Sequence, residues 1–105
     1  MTHGEVMKMA EETGIPSAYD HFAEGESPEP PFLVYLYPGS HNFSADGRAY
    51  FKKNRLNVEL YTDRKDLELE ERVEAVFDLH GLFYEKSEIW IESERLYEVL
   101  YEMEV

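Results

Sequence analysis

The chain has 105 residues, 43% of them hydrophobic and 14% aromatic, with no cysteine and a formal net charge of −13. That length predicts one domain with a single modest core, and the aromatic share argues against a disordered acidic tail. The absence of cysteine excludes a disulfide framework, a thiolate metal site and a thiol nucleophile, while the negative charge disfavours nonspecific binding to nucleic acid or anionic membrane. No apolar run approaches the roughly 18–20 residues that span a bilayer. The opening MTHGEVMKMAEE is too acidic and polar for a signal peptide, so a cytosolic protein is expected.

THGEVMKMAEETGIP begins with a capping-box pattern, Thr2 with Glu5. Val6, Met9 and Ala10 then recur at helical spacing, and Gly14 with Pro16 supplies a stop, which predicts a helix over about 3–13. SAYDHFAEGESPEPP is rich in proline and carboxylates and reads as an extended surface segment pinned by Tyr19 and Phe22. PFLVYLYPG reads as a buried strand ended by Pro38-Gly39. After a polar interval, AYFKKNRLNVELYT resumes as a strand in which Leu56, Val58 and Leu60 share one face. With no helix between them, these two runs are expected to pair antiparallel.

In DRKDLELEERVEAVFDLHG, Leu69, Val73, Val76, Phe77 and His80 form one helical stripe, with Asp66 as N-cap and Gly81 as a left-handed stop. FYEKSEIWIESERLYEVLYEMEV reads as a final hairpin turning at Ser93-Glu94-Arg95, with Ile89 and Ile91 on one face of its first strand. In its second strand Tyr97, Val99, Tyr101, Met103 and Val105 oppose Glu98, Glu102 and Glu104. The order α-β-β-α-β-β predicts an α+β domain: an antiparallel or mixed four-stranded sheet with helices packed on one face. Residues 1–30 supply the N-terminal helix and acidic segment, and 31–105 the sheet with its packed helix. Tyr35, Tyr37, Tyr61, Tyr97 and Tyr101 are expected to cover the sheet with their hydroxyls at the rim.

The motifs of chemistry are missing. His3, His21, His41 and His80 have no metal-ligand spacing. PGSHNFSADGR lacks the phosphate-loop pattern and does not open onto a helix, and no nucleophile elbow surrounds Ser40 or Ser44. A non-enzymatic protein without cofactor or metal is expected. Charge is distributed unevenly: six of the ten basic residues (Arg48, Lys52, Lys53, Arg55, Arg64, Lys65) fall between positions 48 and 65, beside only Glu59 and Asp63.

The segments FLVYLYPGSHNFSADGRAYFKKNRLNVELYTDRKDLELEERVEAVFD and FYEKSEIWIESERLYEVLYEMEV resemble short proteins of prophages and long-tailed phages of Gram-positive bacteria, encoded among the head–tail joining genes. The similarity covers nearly the whole chain after Gly14 and lies in pattern, with no catalytic motif. It implies a tail-terminator or tail-completion role, and neighbouring head-completion proteins are similar in size. Such a subunit forms a ring, commonly a hexamer, that caps the tail tube and meets the major tail tube protein and the head-completion or connector protein. It assembles in the host bacterial cytoplasm and remains in the virion tail. The resemblance also implies an α+β fold with an N-terminal helix, a sheet and a helix packed against it.

A ring subunit needs two unlike, complementary surfaces. The expected pair is the basic stretch with Arg48, Lys52, Lys53 and Arg55 and the acidic helix face with Glu68, Glu70, Glu71, Glu74 and Asp78. The interval Ser40, His41, Asn42, Phe43, Ser44, Ala45, Asp46 and Gly47 is expected to be an arm that orders against a neighbour or the tube, or else an ordinary hairpin tip. An acidic lumen would let DNA pass without sequence-specific binding. The rival reading is an acidic DNA mimic that inhibits a host DNA-processing enzyme, which the basic strand interrupts.

Overall fold

The computed structural model describes the backbone of residues 1–45 and 48–105 and the side chains of residues 1–40 and 53–105. The elements are α1 (His3–Glu12), β1 (Ser17–Tyr19), β2 (Phe32–Ala45), β3 (Arg48–Thr62), α2 (Leu67–Leu79), β4 (Tyr84–Ile91) and β5 (Leu96–Glu104). The class is α+β, as expected, but the sheet has five strands in the order β1-β2-β3-β5-β4. The extra strand is β1, which pairs parallel to β2 through Ser17↔Leu33 to Tyr19↔Tyr35. Three residues carry no alternation that a sequence pattern can reveal; β1 exists because β2 offers it an edge.

Local chemistry sets the helix ends. Thr2 Oγ1 accepts from the Glu5 amide at 3.2 Å while Glu5 accepts from the Thr2 amide at 3.0 Å, closing the capping box on α1. Asp66 Oδ1 accepts from the Leu69 amide at 3.1 Å and caps α2. At the far end Gly81 takes φ 67°, and the Leu82 amide returns to the Phe77 carbonyl at 3.1 Å, as a Schellman turn requires.

Register explains the core. Leu60 lies between Leu33 and Val99, and Val58 between Tyr35 and Tyr101, so the alternating apolar residues of three strands fall on one face. Val6, Met9 and Ala10 of α1 and Leu69, Val73 and Phe77 of α2 join that face in one cluster. The opposite face carries no helix. There Val34 and Leu100 sit among Asn57, Glu59, Tyr61 and Glu98, and Phe32 stacks on Tyr61 at 5.1 Å.

The largest departure from the sequence reading lies in the middle of the chain. Pro38-Gly39 does not end β2. Leu36 pairs with Asn57 and Gly39 with Arg55, so Tyr37 and Pro38 together oppose Leu56 in a bulge, and pairing then continues to Ala45↔Arg48. A bulge is where a strand tolerates a residue without an N–H. The polar interval is therefore mostly strand, and β2 and β3 form one long hairpin.

Core position and exposure make separable predictions on α2. Phe77→Ala should cost about 3–5 kcal/mol because Phe77 is buried against Tyr84 and Tyr101. Leu79→Ala, two residues on and 79% exposed, should change stability by no more than about 0.5 kcal/mol. Urea denaturation of the two variants tests the orientation of the helix.

Candidate assembly surface

The hairpin outruns the sheet that supports it. β1 ends opposite Tyr35, and the Asp20 amide makes the last backbone bond to β2, donating to the Tyr35 carbonyl at 2.8 Å. On the other side β5 ends with Glu104 opposite Arg55, followed by the reciprocal pair between Asn54 and Val105 at 3.0 and 2.8 Å. His41–Ala45 and Arg48–Lys53 thus pair only with each other among the described residues. At about 3.3 Å per residue, this two-stranded ribbon reaches roughly 20 Å past the sheet. Of the expected arm, Ser40 is exposed. His41, Asn42, Phe43, Ser44 and Ala45 belong to β2, but their side chains, with those of Arg48 and Lys52, lie outside the described residues, as do Asp46 and Gly47 altogether.

Where the ribbon leaves the sheet, an open cleft of about 390 Å³ is bounded by Lys53 and Arg55 on one side and Leu82, Phe83, Glu85 and Glu102 on the other. Arg55 approaches Glu102 at 4.0 Å with both side chains about half exposed. Phe83 is 82% exposed. Sequence reasoning passed over this residue because it precedes a strand and belongs to no periodic stripe.

The acidic half of the expected interface needs correction. Glu71, Glu68 and Asp78 are exposed on the outer side of α2. Glu70 is 1% exposed and points inward, where Lys65 Nζ reaches its Oε2 at 2.6 Å and Lys86 Nζ its Oε1 at 2.7 Å. Glu74 is half-buried and receives Lys86 at 2.7 Å, the Tyr101 hydroxyl at 2.7 Å and the Tyr84 hydroxyl at 3.4 Å. Lys65 also binds Glu88. These two glutamates follow Leu69 and Val73 by one position, on the flank of the apolar stripe that turns toward β4. Their charge holds α2 to the sheet and is not free for a neighbouring subunit. The signal was present in the sequence: Glu70 and Glu74 are spaced i, i+4, and Lys65 and Lys86 are among few basic residues available to answer them.

Two carboxyl sites respond to their surroundings in opposite directions. Burial pushes the Glu70 carboxyl up, but the two ammonium groups outweigh it and hold it below its ordinary 4.5. On the open face the Tyr61 hydroxyl lies 2.5 Å from Glu59 and 2.8 Å from Glu98, one proton between two carboxylates. Burial raises the Glu59 carboxyl, Tyr61 opposes the rise, and Glu98 adds to it. Among the described histidines, His3 Nδ1 lies 3.1 Å from the Tyr37 hydroxyl, His21 pairs with Asp20 and His80 with Glu12. No group of three histidine or carboxylate side chains converges as metal ligands among the described residues, and no helix there is long and apolar enough to cross a membrane.

Glu70→Gln should therefore lower stability at pH 7 by about 1.5–3 kcal/mol, the range for hydrogen bonds to charged groups, whereas Glu71→Gln should stay within about 0.5 kcal/mol. A depressed carboxyl contributes fully above its unfolded value and loses that contribution as pH falls through the folded one. The Glu70 deficit should accordingly shrink below about pH 4. For Glu59 the sign reverses: folded protein binds its proton more tightly, so the penalty appears as pH rises above the unfolded value. Glu59→Gln should raise the melting temperature at pH 7 and lose that advantage near pH 4. Thermal melts of the variants across pH test both signs.

No protein-family model matches the chain, and neither does any curated protein sequence.

Proposed function

We propose that the chain is a structural subunit of phage assembly, a tail-terminator or tail-completion protein that works as a ring of identical copies, commonly six. The ring closes the head-proximal end of the tail tube, meeting the major tail tube protein on one side and the head-completion or connector protein on the other. It assembles in the host bacterial cytoplasm and stays in the virion, where its acidic surface lets DNA pass without binding it.

One observation carries this reading: a two-stranded ribbon extends beyond the sheet with both outer edges unpaired among the described residues. An isolated hairpin is marginal in water, and unpaired strand edges invite other chains. A ribbon of this length in a protein of 105 residues gains its order from what it touches. The basic residues Arg48, Lys52, Lys53 and Arg55 lie along it, so its natural counterpart is the acidic surface of the same protein. Unlike surfaces on one molecule generate a contact that repeats around an axis, and opposite charge sets its register.

The experiment is light scattering on size-excluded protein, alone and with tail tube protein. Wild-type chain should form a closed oligomer. Deleting Ser44–Gly47 should leave the melting temperature of the sheet unchanged and abolish the oligomer. Lys52→Glu with Lys53→Glu should weaken it most at low salt, where screening is least. A chain that stays monomeric under all these conditions overturns the proposal.

A further inference from the structure

The ring reading leaves open which part of a neighbouring copy receives the ribbon. We infer that the free edge of β3, Arg48–Lys53, adds to the outer edge of β4 in the next copy and extends the sheet across the subunit boundary. This rests on the ring reading and names its contact.

Each strand edge of a sheet exposes a row of unpaired amides and carbonyls, and proteins blunt such edges with short strands, prolines, bulges or outward lysines. The β1 edge is guarded in this way: it has three residues and is followed by a segment with Pro28, Pro30 and Pro31. The β4 edge is not. It runs for eight residues, pairs with β5 in unbroken register from Tyr84↔Met103 to Ile91↔Leu96, and contains no proline. Ile89 and Trp90 on it are 55% and 43% exposed. Its one lysine, Lys86, is drawn to Glu70 and Glu74 beneath α2 and does not guard the edge.

Charge then selects the partner. Besides Lys86, β4 carries Glu85 and Glu88; Lys65 already binds Glu88, which leaves Glu85 as the acid of the open face. Two such edges brought together would oppose acid to acid, which disfavours a closed pair of identical edges. Arg48–Lys53 reads RAYFKK, three basic residues and no acidic one, and on the side away from β2 it has no strand neighbour among the described residues. A basic strand on an acidic edge is favourable where acid on acid is not. It is also a contact between two different surfaces, which repeats around a ring, whereas β4 on β4 would stop at a dimer. Six residues against eight leaves room for the segment, and its register shift at Tyr50, where Phe43 opposes Phe51 and Ser44 opposes Ala49, divides the contact into two short runs, each supplying hydrogen-bond partners that the β4 edge lacks.

Because the chain has no cysteine, introduced thiols report only on the intended pair. One set of copies would carry Ala49→Cys, Phe51→Cys or Lys52→Cys, and the other Glu85→Cys, Ser87→Cys or Ile89→Cys. Mixed under oxidising conditions, at least one combination should give disulfide-linked pairs well above those formed with a control Glu12→Cys. Amide exchange across Glu85–Trp90 should slow at least tenfold on oligomerisation. Lys52→Glu with Lys53→Glu should depress the cross-link yield, and Glu85→Lys on the receiving copy should restore it. Oligomers with no cross-link above control and unchanged β4 exchange overturn strand addition and leave the ring standing. Protein that never oligomerises removes both.

Discussion

β3 is the strand on which the architecture depends, because its two sides are covered over different lengths. It is 15 residues long and pairs with β2 along the whole hairpin, but with β5 only from Arg55 to Thr62. Over the shared stretch, Leu56, Val58 and Leu60 lie at the centre of the core, flanked by apolar residues of both neighbours. Beyond it, the same strand continues with no core to bury and with a basic sequence. One continuous hydrogen-bonded element thus joins the core of the molecule to the ribbon that extends beyond it.

Charge follows the same division. An acidic chain of this size has few cations, and six of its ten fall into two groups. Lys65 and Lys86 neutralise Glu70 and Glu74 where α2 meets β4, because the covered face of β4 carries Lys86 and Glu88 between Tyr84 and Trp90 and offers the helix little apolar surface. Burying ions is costly, and the cluster is tolerable because each carboxylate meets an ammonium group and two tyrosine hydroxyls reach Glu74. Arg48, Lys52, Lys53 and Arg55 are left along the ribbon, away from those internal acids. The outward charge of the molecule is therefore more polarised than its composition conveys, with a basic ribbon at one place and carboxylates over much of the remainder.

A protein arranged in this way has its chemistry at its edges. The cleft at the root of the ribbon is open, its charges are mixed, and exposed Phe83 stands beside it. Such a place suits a strand or side chain from another protein better than an enclosed small molecule. The long β4 edge is the least guarded feature of the sheet, whereas the ribbon carries Lys52 and Lys53 and register shifts at its root and near its tip, devices that blunt a strand edge.

Much of this could be read from the chain itself. Helical stripes located α1 and α2, and the capping residues Thr2, Asp66 and Gly81 set their ends, because caps and periodicity act within a few residues. Alternation in Leu56–Leu60 and Val99–Met103 marked the core face of two strands for the same local reason. What sequence could not supply were facts that depend on who lies beside whom. Ser17–Tyr19 became a strand only because β2 had a vacant edge, and Pro38 failed to end β2 because a bulge absorbed its missing N–H opposite Leu56. Helical spacing places Glu70 and Glu74 with the outer acids of α2, but Lys65 and Lys86, 21 positions apart in sequence, bind them on its inner side. Ile89 and Ile91 share one face of β4, as alternation predicts, and only the tertiary structure decides that it is the face no helix covers. Local propensity is written along the chain, whereas burial and the partner of a charge are settled when distant segments meet.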